Sequence, residues 1–214
     1  MSLEAQNAIS AWLGARDESA ARELMALLYP QVARIARSHL PFRMEEADLL
    51  WIEEPVLPEN IDGYRAVAAA IGTAIAGGEA LGSLAAFRDF IAAGAFSIVQ
   101  PDMTVCGGYT GFAKVAALAA AYDLPVMPHV FGTVIHQRAA LQMAALIPAR
   151  RGGGPAEFPY VEIDASDNPL LTLGGELEIA PDGKIAIPAA PGTGFDLDPQ
   201  RLKPWLNESW RKTQ

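Results

Sequence analysis

Glu53, Glu79, Asp102, His129 and Glu162 each follow a short apolar run, at intervals of 26, 23, 27 and 33 residues. Carboxylates and an imidazole are the groups that move protons near neutral pH and hold hard divalent cations. Residues so far apart can act together only if the fold gathers them. A β/α barrel does this, because the C-terminal ends of its parallel strands converge on one face. The spacing therefore predicts one composite site.

Within that site the residue types suggest roles. Glu53 and Glu54 follow an apolar strand and precede Pro55. Adjacent strand side chains point to opposite faces, so one of the two glutamates faces a central site and the other faces away. Glu79 ends the next run, and two inward carboxylates on neighbouring strands about 5 Å apart could ligate Mg2+. The alternative for each is a solvated loop acid. Asp102 and His129 follow Pro101 and Pro128. A carboxylate on one imidazole nitrogen would fix the tautomer and prepare the other nitrogen to take a proton. The competing reading is a core histidine and a loop cap. Glu162 could be a protonated acid that donates to a developing oxyanion, with Asp164 and Asp167 as rivals. His136, on a helix, and His39 read as structural or solvent-facing. Cys106, before Gly107 and Gly108, reads as a small buried filler, since no activating arrangement adjoins it.

The elements needed to position these residues are legible from residue 51 onward. Strands are expected near residues 50–52, 74–77, 97–100, 125–127 and 160–162, and helices over 61–71, 83–93, 111–122 and 134–146. With right-handed crossovers this pattern builds a curved, open half-barrel. Residues 149–159, with Arg150, Arg151 and three glycines, read as a loop. Pro181, Asp182 and Gly183 mark a hairpin between residues 177–179 and 185–187. The first fifty residues differ, with apolar positions at helical period (Ile9, Trp12, Leu13, then Leu24, Leu27, Leu28, Val32, Ile35 and Leu40). They read as a helical hairpin, with Asp17 and Ser19 as N-caps and a break at Pro30.

Composition narrows the class. The 214 residues are 51% hydrophobic and 19% charged, enough for one sizeable core. A net charge of -9 repels phosphate backbones, and Lys203, Arg211 and Lys212 are too sparse to make a basic patch, so nucleic acid is an unfavoured partner. One cysteine cannot form an intrachain disulfide. The most apolar stretch, residues 66–78, falls short of a membrane span, and no charged-then-apolar leader opens the chain. The expectation is a soluble, cytoplasmic protein.

The stretches WIEEPVLPEN from Trp51, AGGEALGS from Ala76, VQPDMTVCGG from Val99, LPVMPHVFG from Leu124, FPYVEI from Phe158 and IPAAPGTGF from Ile187 resemble, in order, the C-terminal barrel of the enolase superfamily. The resemblance is to its mandelate racemase-like and muconate lactonizing enzyme-like members. It implies an α/β fold, a partial TIM-type (β/α)8 barrel equivalent to strands 4–8, preceded by an N-terminal α-helical segment. It also implies Mg2+ as cofactor, Glu53 and Glu79 as two of three metal ligands, Asp102 and His129 as the general-base pair, and Glu162 as the acid that steadies the enolate. An Asp at position 102, where the muconate-lactonizing branch has lysine, points to the racemase and acid-sugar dehydratase branch. The substrate class is a small-molecule carboxylate, a hydroxy acid or acid sugar.

Trp51 corresponds to the fourth strand of such barrels, so the capping domain, three strands and the third carboxylate ligand are expected to have no counterpart here, and activity to be impaired. Open sheet edges then lead to an expected homo-oligomer. Residues 20–50 resemble the start of region two of extracytoplasmic-function sigma factors. The resulting division is a helical segment over 1–50 and a half-barrel with hairpin and tail over 51–214. The alternatives to an enzyme are a catalytically inactive remnant or fusion, and an RNA polymerase-associated interaction module.

Overall fold

A computed structural model describes residues 50–147, 150–151, 157–175, 177–194 and 196–205. The helical hairpin expected over residues 1–50, with its sigma-factor-like segment and His39, lies outside these residues apart from Leu50. Strands β1 (Trp51–Glu53), β2 (Ala74–Gly77) and β3 (Ile98–Val99) pair in parallel in the order β1-β2-β3. Glu53 lies beside Ala76, and Gly77 beside Val99. Residues 125–129 continue the sheet past β3. Val99 N donates to the Pro125 carbonyl at 3.0 Å, Met127 N to the Val99 carbonyl at 2.9 Å, and His129 N to the Pro101 carbonyl at 3.3 Å. Pro125 and Pro128 bring no amide donor, so this segment makes separate bridges, Val99 to Val126 and Asp102 to His129, in place of a full ladder.

Four helices lie between these strands or follow them: α1 (Ile61–Ala70), α2 (Leu84–Ala92), α3 (Gly108–Ala121) and α4 (Val134–Ala144). Three have side-chain caps that satisfy a first-turn amide: Asn60 accepts from Gly63 N, Ser83 from Ala86 N and Thr133 from His136 N. α3 starts three residues before the expected position, at a left-handed Gly107 with φ +100°.

Strand alternation sorts the apolar side chains into two groups. Ile52, Ile75, Val99 and Val126 face the helices and join the larger cluster, which holds the buried Tyr64, Phe87 and Phe112. Within it the rings of Tyr64, Phe90 and Phe96 lie 5.1 to 5.6 Å apart. Trp51, Ala74, Ala76, Ile98 and Met127 face the other way and form a small cluster with Tyr160, whose ring lies 5.9 Å from that of Trp51.

The strand expected at residues 160–162 is absent. Pro159 contributes no amide donor, and Tyr160 is placed by ring packing on the inner cluster without joining a ladder. The loop expected over 149–159 instead pairs at its ends, where β4 (Arg150–Arg151) runs antiparallel to β5 (Glu157–Phe158). The hairpin at Pro181 forms as expected, with Ile179 opposite Ile185 and Gly183 N donating to the Ala180 carbonyl at 2.8 Å. The tail helix α5 (Pro199–Leu202) is tied down by Arg201, which donates at 2.9 Å to the carbonyls of both Thr172 and Leu173. Among the described residues, no helix is long and apolar enough to cross a membrane.

Candidate active site

The inner face of the sheet carries the chemistry two residues beyond its apolar cluster. Trp51 precedes Glu53 by two positions, Ile98 precedes Gln100 and then Asp102, and Met127 precedes His129, so period-two alternation sets all four polar side chains on one side. This decides between the two glutamates. Glu53 faces inward and its Oε2 accepts from Gln100 Nε2 at 2.8 Å. Glu54 has the parity of Ile52 and turns toward the helix layer, at a left-handed φ of +39°. Burial and the neighbouring Glu79 charge push its carboxyl up. Glu79 would have the wrong parity if β2 ran on, but Gly78 turns the chain at φ +118°, a conformation L side chains rarely adopt.

His129 is the centre of the group. Its Nδ1 donates to Asp102 Oδ2 at 2.8 Å, and its Nε2 lies 3.1 Å from Glu79 Oε2 and 3.8 Å from Glu162 Oε2. Burial lowers the affinity of the ring for a proton. The Asp102 hydrogen bond, with the charges of Glu162 and Glu79, more than offsets this and holds the imidazole up at about 8. Asp102 is itself buried, which pushes its carboxyl up, but bonds from His129 and from the Thr104 amide and hydroxyl, each of the latter at 2.6 Å, bring it below the usual carboxylate range. An ionised Asp102 has no proton to give, so the proton of the dyad resides on Nδ1.

Glu162 reaches this point without a strand beneath it, because its Oε2 accepts from Val130 N at 2.8 Å, one residue past His129. Burial pushes its carboxyl up despite that bond. Of its rivals, Asp164 is occupied in loop closure, accepting from Gly132 N at 3.0 Å and Ser166 N at 2.9 Å. Cys106 is buried, and burial with the nearby Asp102 charge pushes its thiol up to about 11, as suits a filler. An apolar cavity of about 320 Å3 between α3 and α4, lined by Phe112, Ala116, Leu124, Met143 and Leu146 among others, holds no titratable group and lies apart from this site.

The structure thus brings Glu79, Asp102, His129 and Glu162 into direct contact and sets Glu53 on the same face. One neighbour of the site escaped the sequence reading. Gln100 shares the parity of Ile98 and Asp102, which was a usable signal. His136, read as structural or solvent-facing, is buried on α4 with Nε2 3.3 Å from Asp102 Oδ1. As metal donors, Glu53 and Glu79 are hard oxygen ligands of the kind Mg2+ takes, and that ion commonly binds one or two carboxylates and fills its octahedron with water or substrate. Among the described residues no group of three or more His, Cys, Asp or Glu is placed to hold an ion unaided.

The chain is similar to known proteins in both sequence and fold. The chain is 39% identical over 155 residues to the D-galactarolactone cycloisomerase of Agrobacterium fabrum, covering 71% of this chain and 40% of the relative. Among solved structures, the 3,6-anhydro-D-galactonate cycloisomerase of Zobellia galactanivorans matches with a TM-score of 0.69 at 29% identity, over 89% of this chain and 48% of that one. The L-talarate dehydratase of Polaromonas sp. JS666, complexed with Mg and L-glucarate, matches with a TM-score of 0.60 at 35% identity, over 84% of this chain and 44% of that one. The chain spans less than half the length of each. The enolase C-terminal domain-like family matches residues 26–201, across the boundary expected at residue 50 and through every residue of the site, and the chain belongs to that family.

Proposed function

We propose that this chain carries the proton-transfer machinery of an acid-sugar dehydratase or cycloisomerase, with His129 removing the proton α to a substrate carboxylate. The observation that carries the reading is the division of labour on one imidazole: Asp102 holds Nδ1, while Nε2 is turned toward two carboxyl groups. Nε2 takes the proton, and the Asp102 carboxylate stabilises the imidazolium that results. The Glu162 carboxyl, favoured in its neutral form by burial, donates to the oxygen on which enolate charge develops. Glu53 and Glu79 would hold Mg2+, which when bound would neutralise the substrate carboxylate and acidify its α-proton. The parallel order β1-β2-β3 with helices on one face supports the partial barrel, and the expected homo-oligomer is checked by a light-scattering mass above the 22.8 kDa of one chain.

The test is α-deuterium incorporation from heavy water with Mg2+ present, across L-talarate, L-glucarate, D-galactarolactone and 3,6-anhydro-D-galactonate. Exchange is expected with at least one, falling at least about 100-fold in His129→Asn. No exchange in any of them, with no Mg2+ binding by calorimetry, would leave the inactive remnant as the reading.

A further inference from the structure

We propose that His136 is a positioning residue for the base, backing the Thr104-bound oxygen of Asp102 so that the other oxygen stays on His129. This rests on the assignment of His129 and Asp102 as the proton-transfer pair. Asp102 is held from two directions. On Oδ2 stands His129 Nδ1 at 2.8 Å, and on Oδ1 stand the Thr104 amide and hydroxyl, with His136 Nε2 at 3.3 Å. Thr104 is two residues away on the same loop, so its contacts fix the carboxylate only relative to its own backbone. His136 comes from α4, the helix that begins five residues after His129. The segment from His129 to His136 therefore meets Asp102 on both oxygens, by a hydrogen bond from His129 and by the polar edge of His136.

The surroundings of His136 argue against a packing role. Its side chain is 3% exposed, and neither ring nitrogen has a hydrogen-bond partner among the described residues; the 3.3 Å approach to Asp102 is out of line for one. A buried imidazole left in this state is costly, and an aliphatic side chain would fill the same space without that cost. Its backbone amide already serves the helix start, donating to Thr133 Oγ1 at 3.5 Å, so the ring is not needed for capping. What the ring supplies is a polar edge against Asp102. In metal sites the groups that orient the ligands typically matter about 10 to 100-fold, although they touch no substrate, and a group that orients Asp102 acts in the same indirect way.

The experiment reads the Nδ1–H proton of His129 in the 15N-labelled full chain without substrate. That proton is present in the neutral Nδ1–H form and in the imidazolium, so its low-field signal reports the Asp102 contact in either state. The signal should be present in wild type, lost or shifted upfield in His136→Phe, and kept in His136→Gln, whose amide nitrogen reaches the position of Nε2. His136→Leu replaces the Phe variant if the larger ring prevents folding. An unchanged His129 signal in the folded apolar variant overturns the proposal, and so does equal loss in both variants, since that marks mere packing. Where deuterium exchange is measurable, the apolar variant should lower kcat by about 10 to 100-fold with KM little changed. Absence of exchange in wild type would count against the proposed reaction, whereas the spectroscopic pattern stands or falls without it.

Discussion

At the scale of single residues, the chemistry depends on small polar contacts that hold a few charged groups in place. Gln100 is buried and donates to Glu53 Oε2 at 2.8 Å, so it orients a carboxylate that otherwise stands more than a third exposed at a strand end. Gln100→Leu should therefore weaken Mg2+ binding by about 10-fold in calorimetry while leaving the fold intact. Asp102 makes a pH prediction with a definite sign. Its folded pKa is depressed, because the bonds from His129 and Thr104 outweigh the upward push of burial. Such a group stabilises the fold above its unfolded pKa of about 4 and loses that contribution as pH falls through the lower folded value. Urea unfolding should show the wild type losing stability below about pH 4 more steeply than Asp102→Asn. Equal slopes would mean that the fold does not depress the Asp102 pKa.

The elements act mainly by deciding where each strand releases its last side chain. β1 delivers Glu53 by simple alternation, whereas β2 needs a device, since continued alternation would turn Glu79 away. Gly78 provides it at φ +118°, with the Phe87 ring so close that an added Cβ would lie 2.8 Å from Cε1. Gly78→Ala should cost about 1–3 kcal/mol in chemical denaturation and draw Glu79 away from His129, visible as a change in the His129 ring resonances. A fully stable variant with unchanged resonances would show that the turn tolerates another conformation. The segment 125–129 delivers His129 with only isolated bridges beneath it, which explains why the imidazole draws further support from Asp102, and Glu162 from the Val130 amide. The four helices beside the strands were legible because apolar residues recur at helical spacing and three of the four begin at Asn, Ser or Thr caps. The strand expected at 160–162 was misread. An apolar triplet after a proline looks like a strand, and whether it pairs depends on chains far away in sequence.

Over the whole molecule, two apolar layers on opposite faces of a short parallel sheet hold the site at its rim. The helix-side layer dominates, and Phe112 on α3 is fully buried in it. Phe112→Ala should cost about 3–5 kcal/mol in thermal or denaturant unfolding, and a loss below about 1 kcal/mol would mean that the layer collapses into the void. The first three strands, the four helices and the α/β class with its parallel sheet were readable from residue types, because hydrophobic periodicity and strand-end placement are local properties of the chain. Local pattern could not say which of Glu53 and Glu54 turns inward, that Asp164 closes a loop while Glu162 reaches His129, or that Gln100 and His136 stand behind the acting groups. Those depend on which atoms from distant segments come within about 3 Å, and only packing of the sheet against its helices sets such distances.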